Sequence, residues 1–292
     1  MELLNLIHLL VDLQKHLTLR FAKKHGLGCV ELRSAWEKGP FEFTPADIEK
    51  IRALSEQYSL PVIAISSPFY KCSYFDTDVV REHVKSFERL VGYAQTLGAK
   101  YIRCFDFLRD ERVTHSNVKK AYEVPIGFCE KSGLQILIES EPTANSYNCE
   151  TLAALVEYIG HPCVRSLYDP GNNIYATEEI PYPDGYRLIR GTMAHIHIKD
   201  AVRTERKAIG CPVGKGEVDY AGLFRELFRT GYSGAVMLET HYKPECEIPE
   251  EVLHNPKGSA ISYMGDVASA ECLSGLKQIM KDAERAVLGD GK

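Results

Sequence analysis

From residue 28 onward, short apolar runs alternate regularly with stretches of helical pattern. Seven of these runs predict strands, at residues 29–33, 61–66, 100–105, 134–140, 164–169, 193–199 and 234–240. Their nearly continuous hydrophobicity is typical of strands that are covered on both faces. Because strands separated by helices normally run parallel, the alternation predicts an α/β protein.

The number of repeats favours one parallel architecture over the other. Seven βα units, with room for an eighth strand near the start, favour a (β/α)8 TIM barrel over an open sheet. No linker or break in composition divides the chain, so we expect a single domain over residues 1–292. The first strand is atypical, because the N-terminal segment predicts either a strand at about residues 3–10 or a continuous helix.

Several helix ends are marked by capping residues. Thr44 precedes a proline and Asp219 precedes an amphipathic run, so both are predicted N-caps. Gly98 and Gly133 come just before predicted strands and are predicted to end the preceding helices.

Charge and cysteine content exclude several classes of protein. The net charge of −5 offers no basic surface for nucleic acid. The nine cysteines show neither CxxC pairs nor zinc-finger spacing, which indicates reduced thiols and a cytoplasmic protein. We expect no membrane span and no signal peptide, since the apolar N-terminus lacks a basic start and a cleavage site. The sequence contains neither of the glycine-rich nucleotide-binding motifs, GxGxxG and GxxxxGK[ST]. Assembly into a homo-oligomer is possible.

Four predicted strands finish on a residue that can ligate a hard divalent ion: Glu139, Asp169, His197 and Glu239. The carboxyl ends of parallel strands gather on one face, where ligands bind. Each residue alone is typical of a turn, a core position or an ion pair. Together, three carboxylates and an imidazole would be costly to bury without a cation. The set predicts one divalent ion, Mn²⁺, Mg²⁺ or Co²⁺, with Zn²⁺ as an alternative.

Other polar residues are predicted to share this face, because residues two apart on a strand point the same way. These candidates for substrate binding are Asn172, His195, Lys199 and His241, with Arg103 at another strand end. Lys199 has a second interpretation, as the partner of a ligand carboxylate. Gly214 and Gly216, in the segment GKGEVDY, form either a phosphate-binding loop or a plain turn before a helix.

The segments ILIES, LYDPGN, HIHIKD, GKGEVDY and LETH, in this order, resemble the sugar phosphate isomerase/epimerase group of xylose isomerase-like TIM barrels. The resemblance covers residues 28–290. It implies that Glu139, Asp169, His197 and Glu239 hold the metal and that the two glutamates form the acid/base pair. It further implies that Arg203, shortly after the HxH pair, binds substrate, with a solvated loop arginine as the alternative. The implied substrate is a small polyhydroxylated ketone or sugar, processed through a metal-stabilised enediolate.

The same ligand set is compatible with several reactions of the enediolate. Returning the proton gives epimerisation or isomerisation, and losing a β-hydroxyl gives dehydration. We therefore predict a metal-dependent isomerase or epimerase, with a lyase such as an inosose or dehydroshikimate dehydratase as the alternative. A non-catalytic sugar-binding protein is a further alternative. Asn172 departs from ketose 3-epimerases, which tend to place a histidine there.

A DNA-repair endonuclease of the related phosphodiesterase branch is the remaining alternative. It would need additional histidines at the ends of the third and fourth strands to hold a multi-zinc cluster. Those strands end here in SSPFYKCS and CFDFLRD, without a histidine, and the protein is not basic.

Overall fold

The computed structural model describes residues 7–13, 17–176, 178–244 and 265–289. The strands are β1 (Ile7–Leu13), β2 (Val30–Ala35), β3 (Val62–Phe69), β4 (Tyr101–Cys104), β5 (Gln135–Glu139), β6 (Val164–Tyr168), β7 (Met193–Ile198), β8 (Asp200–Arg203), β9 (Ala208–Cys211) and β10 (Val236–Leu238). The helices are α1 (Leu17–Lys24), α2 (Pro45–Tyr58), α3 (Thr77–Leu97), α4 (His115–Ser132), α5 (Cys149–Ile159), α6 (Pro170–Ala176), α7 (Tyr186–Ile189), α8 (Tyr220–Arg229) and α9 (Gly265–Gly289).

Eight of the strands form a closed parallel barrel in the order β1-β10-β7-β6-β5-β4-β3-β2. The predicted α/β fold and TIM barrel are thus confirmed. The uncertain first strand is β1, which pairs in parallel with β2 on one side and with β10 on the other. A continuous helix through this segment is therefore wrong. The strand overlaps the predicted residues 3–10 and continues to Leu13, while residues 3–6 lie outside the described part of the chain.

The predicted helix ends are present. The Thr44 side chain accepts a hydrogen bond from the backbone N–H of Asp47, and Asp219 caps α8 in the same way. Helices α3 and α4 end at Gly98 and Gly133, with φ values of 69° and 72°. This left-handed backbone carries little steric cost for glycine, so each chain turns at once into the following strand.

Strand β7 illustrates how the barrel separates apolar from polar residues. Ile196 and Ile198 join the hydrophobic core, whereas the alternate residues His195 and His197 meet Glu31 of β2 across the barrel. Successive strand residues point to opposite faces, so one face packs against the helices and the other carries polar groups inward. The interior of the barrel is therefore polar near β2 and β7.

Strands β8 and β9 form an antiparallel hairpin after β7. Asp200 of this hairpin accepts hydrogen bonds from the backbone N–H groups of Gly214 (2.9 Å) and Gly216 (3.0 Å). A Cβ at residue 216 would lie 2.0 Å from Asp200 Oδ1, so glycine is needed for this close approach. The GKGEVDY segment is thus the plain turn before α8.

Two further observations concern the described residues only. Their cysteines are all free thiols. None of their helices combines the length and the hydropathy needed to cross a membrane. Residues 245–264, which include most of the acidic run PECEIPEE, lie outside the described residues.

Candidate functional site

Four side chains at the carboxyl ends of strands converge inside the barrel mouth. They are Glu139 at the end of β5, Asp169 after β6, His197 in β7 and Glu239 after β10. One potential ligand atom from each lies within 4.8 Å of the other three, and all four residues are buried. The structure therefore brings the four predicted ligands together.

The potential ligand atoms of this cluster face one another. His197 Nδ1 lies 3.3 Å from Glu139 Oε1, 3.4 Å from Glu239 Oε2 and 3.9 Å from Asp169 Oδ2. His197 Nδ1 forms no hydrogen bond within the described residues, whereas Asp169 Oδ2 pairs with the ammonium group of Lys199. Buried polar atoms without such a bond are uncommon and call for an explanation. Three carboxylates and one imidazole fit a divalent ion such as Mn²⁺, Mg²⁺, Co²⁺ or Zn²⁺.

Glu31 of β2 lies on the other side of His197. Its Oε2 is 3.1 Å from His197 Nε2 and 2.9 Å from His195 Nε2, and Ser66 donates a hydrogen bond to Oε1. Burial raises the pKa of Glu31, but the two imidazoles outweigh it and hold that pKa well below its usual range. The carboxylate therefore accepts a proton from His197 Nε2 and turns Nδ1 toward the ligand carboxylates. Burial lowers the pKa of His197, but the surrounding carboxylates hold it well above its usual value, so a bound metal would displace the proton on Nδ1.

Lys199 reaches the same carboxylates from the cavity side. Its Nζ lies 2.5 Å from Asp169 Oδ2 and 2.8 Å from Glu239 Oε2. Burial lowers the pKa of Lys199, yet the neighbouring carboxylates raise it further than burial lowers it. Lys199 is thus an ammonium ion that pairs with two predicted ligands, which was the second interpretation of this residue.

An arginine holds the outer oxygen of each glutamate. Arg103 Nη1 donates to Glu139 Oε2 at 2.8 Å, and Arg33 Nη1 donates to Glu239 Oε1 at 2.6 Å. Burial raises the pKa of Glu139, but the Arg103 guanidinium and His197 lower it below its ordinary value. Burial likewise raises the pKa of Glu239, and Lys199 and His241 reverse the effect. Each glutamate therefore binds an arginine outward and keeps its other oxygen toward His197.

A cavity of about 390 Å³ opens over the cluster. Among the predicted substrate-binding residues, Asn172, Lys199 and His241 line it, together with both glutamates. Asn172 Nδ2 donates to the Ser140 carbonyl at 2.8 Å and lies 3.3 Å from Glu139 Oε1. His241 Nε2 lies 3.0 Å from Glu239 Oε1. These residues can thus contact both a ligand in the cavity and the carboxylates beneath it.

Two predicted substrate-binding residues lie away from the cavity lining. His195 is fully buried against Glu31 behind His197. Arg203 sits on the β8–β9 hairpin, where its Nη1 pairs with Glu217 at 2.6 Å. Direct contact with a ligand in this cavity is therefore not available to either side chain in this conformation.

Sequence reasoning missed Glu31 and Arg33. Both lie in VELR, where two charged residues alternate with apolar ones in a strand that is otherwise buried. Charged residues two apart in such a strand share a face, and that face had to be the barrel interior. This alternation of charged and apolar residues is the sequence signal for both side chains.

Comparison with solved structures supports the fold. One similar structure is described as IOLI protein with a binding zinc atom, with 16% identity, a TM-score of 0.70, and coverage of 95% of this chain and 98% of that one. A second is the 3-keto-D-glucoside 4-epimerase YcjR from E. coli, with 15% identity, a TM-score of 0.64, and coverage of 89% and 99%. A third is the probable 3-DHS dehydratase AsbF from Bacillus anthracis, with 16% identity, a TM-score of 0.63, and coverage of 82% and 93%.

These neighbours include an epimerase, a dehydratase and a zinc-bound protein. At such low identity they establish a shared fold, while each activity belongs to the named protein. No curated protein matches the sequence. Residues 19–257 match the family described as xylose isomerase-like TIM barrel. This match spans most of the barrel described above, and the chain belongs to the xylose isomerase-like TIM barrel family.

Proposed function

We propose that this protein is a divalent-metal-dependent isomerase or epimerase of small polyhydroxylated ketones or sugars. The observation that carries the proposal is the convergence of three buried carboxylates and His197 Nδ1 on one point below the cavity. Glu139, Asp169, His197 and Glu239 would hold the ion. When bound, it would supply Lewis acidity that polarises a substrate carbonyl and offsets the charge of an enediolate.

Glu139 and Glu239 serve as the acid/base pair. They extend from β5 and β10, which are separated in the barrel by β6 and β7, so they approach a ligand from different sides. Because their pKa values lie below the ordinary range, both are carboxylates in the metal-free protein. One would accept the proton from carbon, and the other would return a proton to the opposite face after taking one up from the cavity. His241, in contact with Glu239, links that carboxylate to the cavity for proton exchange.

The remaining polar residues orient and stabilise the ligand. Asn172 fixes Glu139 through its amide, and Lys199 places a positive charge beside Asp169 and Glu239. Fixed donors and cations near a developing negative charge lower the barrier without reorganisation. A lining with many charged and hydrogen-bonding side chains suits a ligand with many hydroxyl groups.

Dehydration on the same site is the second candidate. It needs the same proton abstraction, followed by departure of a β-hydroxyl. The observation that favours it is the Lys199 ammonium in the cavity wall, which can hydrogen-bond to a departing hydroxyl. The two outcomes differ in product and not in the first proton transfer.

Metal analysis tests the foundation of the proposal. Purified wild type should bind one divalent ion, and Glu139→Gln and Asp169→Asn should each weaken its binding by about tenfold or more. Glu141→Gln is the matched control, since Glu141 lines the same cavity but is not one of the four ligands. Undiminished metal in both ligand variants, or none in the wild type, would overturn the proposal.

Solvent exchange separates the activities. The metal-loaded protein is incubated in deuterated water with a series of ketoses from trioses to hexoses. Deuterium in the sugar without loss of water supports isomerisation or epimerisation, and an ultraviolet-absorbing enone supports dehydration. Binding of a ketose with neither outcome, unchanged by Glu239→Gln, would instead indicate a sugar-binding protein.

A further inference from the structure

Two consecutive residues after β2 adopt a backbone conformation that most side chains disfavour. Trp36 and Glu37 have φ values of 51° and 63°, and they lie between Ala35 and Lys38, whose backbones exchange two hydrogen bonds of 3.0 Å. Positive φ at both central residues of such a turn is normally supplied by asparagine and glycine. With larger residues it costs free energy, and strain of this kind is concentrated at binding and catalytic sites.

Helix α2 holds this turn in place through two contacts. Lys38 Nζ pairs with Asp47 at 2.8 Å, and Lys50 Nζ lies 4.0 Å from the centre of the Trp36 ring. The turn reverses the chain directly after β2, where Glu37 and Lys38 line the cavity. Because Glu37 is also exposed to solvent, it lies at the rim of the cavity, and the contacts of its two neighbours with α2 keep it there.

Glu37 differs in its contacts from the other glutamates of the cavity. Glu139, Glu141 and Glu239 each pair with a cationic side chain. Glu42 accepts a hydrogen bond from a backbone N–H. Within the part of the chain that the structure describes, the Glu37 carboxylate forms neither a hydrogen bond nor an ion pair. Both of its oxygens are therefore available to accept hydrogen bonds from a ligand.

We propose that Glu37 makes the site specific for the length of the substrate, by accepting hydrogen bonds from hydroxyl groups at the end remote from the metal. The inference rests on the proposed function, since it names a specificity-determining residue for that site. The four ligands are buried, whereas Glu37 lies on the rim of the same cavity. A carboxylate can accept from two neighbouring hydroxyl groups, and its charge strengthens both bonds. A ketose that extends from the ligands to the rim gains these bonds, and a shorter ketose does not.

Titration of ketoses of increasing length tests the inference. Dihydroxyacetone, erythrulose, ribulose and fructose are titrated into metal-free and Mn²⁺-loaded protein. Binding is followed by calorimetry and by the fluorescence of Trp36, the only tryptophan in the sequence. Affinity should rise by about tenfold or more at the length that reaches the rim. The ketoses that reach the rim should also change the fluorescence of Trp36, and dihydroxyacetone should not.

Substitutions of Glu37 separate ligand binding from backbone strain. Glu37→Gln keeps the turn and removes the charge, so it should reduce the affinity for the tightest ketose by about tenfold and leave that for dihydroxyacetone unchanged. Glu37→Gly should lose the same affinity but raise the melting temperature by about 1–3 °C, because glycine adopts positive φ at little cost. Glu49→Gln removes an exposed carboxylate of α2 outside the cavity and should change neither affinity.

Three results would overturn the inference. The first is an affinity that does not rise with the length of the ketose. The second is a Glu37→Gln variant that binds long ketoses as tightly as wild type, or that loses affinity equally for long and short ones. The third is a melting temperature of Glu37→Gly that does not rise, since the turn would then carry no strain to explain.

The outcomes distinguish this inference from the proposed function. If Mn²⁺ binds and deuterium enters the sugar, but length and Glu37 have no effect, the inference fails and the proposed function stands. If Mn²⁺ does not bind, the proposed function fails, and the titrations of metal-free protein still decide whether Glu37 selects for length.

Discussion

Replacing Glu31 by glutamine tests how the metal ligand His197 is oriented. Glu31 is fully buried, and its Oε2 accepts from both His197 Nε2 and His195 Nε2. Glutamine keeps the shape: its carbonyl oxygen can accept from the imidazoles, and its amide can donate to Ser66 Oγ. The variant therefore removes one negative charge and preserves most of the hydrogen-bond pattern.

The expected loss follows from the kind of hydrogen bond involved. A bond to a charged group contributes about 1.5–3 kcal/mol and a neutral one about 0.5–1.5 kcal/mol, so the change costs about 1 kcal/mol per imidazole. The carboxylate also attracts the ion through His197, and loss of such outer partners typically weakens metal binding by about 10–100-fold. We expect Mn²⁺ to bind Glu31→Gln roughly 10–100-fold more weakly. Glu31→Ala should reduce the affinity for Mn²⁺ further, because two buried N–H groups then lack an acceptor.

The assay is calorimetric titration of Mn²⁺ into metal-stripped protein, with thermal melts to verify folding. Glu141→Gln removes a cavity carboxylate that pairs with Lys71 and is not one of the four ligands, so it should change affinity by less than about threefold. If Glu31→Gln binds Mn²⁺ as tightly as wild type while Glu139→Gln does not, Glu31 does not prepare His197 for the metal.

Three further outcomes are expected. Lys199→Met leaves buried carboxylates without their ammonium partner and should destabilise the metal-free protein by about 3–5 kcal/mol. Mn²⁺ should then raise the melting temperature of the variant more than that of wild type. An equal rise in the two proteins would contradict this prediction. Asp106 is buried, which raises its pKa from 3.8 to about 6, so the folded state binds the extra proton and loses stability as pH rises through that window. Relative to wild type, the free energy of unfolding of Asp106→Asn, measured with urea, should rise by up to about 3 kcal/mol between pH 4 and pH 7. A difference between the two proteins that does not change with pH would refute the argument. Gly171→Ala would place a Cβ 2.6 Å from the Lys199 carbonyl oxygen and should cost about 1–3 kcal/mol in thermal unfolding. Gly127→Ala, in the interior of α4 with no atom within 4 Å of the added Cβ, should instead stabilise by about 0.5–1 kcal/mol; similar effects of the two glycine changes would contradict the steric explanation.

Sequence reasoning reached the barrel because strand hydrophobicity and helix caps are local signals. Seven strands, the caps at Thr44 and Asp219 and the four ligand positions are all visible from neighbouring residues in the chain. The first strand was harder to predict, because its apolar run has no period that separates a buried strand from a helix. Pairing with β2 and β10 decides its conformation, and both partners are distant in sequence.

The polar partners of the ligands depend on contacts between distant strands. His197 and Glu31 are 166 residues apart, and Arg33 and Glu239 are 206 residues apart. No local pattern joins these residues. Arg203, which the resemblance placed near the substrate, lies on the hairpin and pairs with Glu217, a contact that its position in the sequence does not reveal.

The position of β1 has a consequence for how the site assembles during folding. Glu31 lies on β2, and its partner His197 lies on β7; in the barrel they are separated by β1 and β10. A chain in which β1 has not yet docked would have an open seam between β2 and β10, and Glu31 would have no fixed distance to His197. The complete coordination environment therefore exists only after the ring of strands has closed. Tight metal binding would then report barrel closure itself, and the ion would favour closed molecules over those that remain open at the seam.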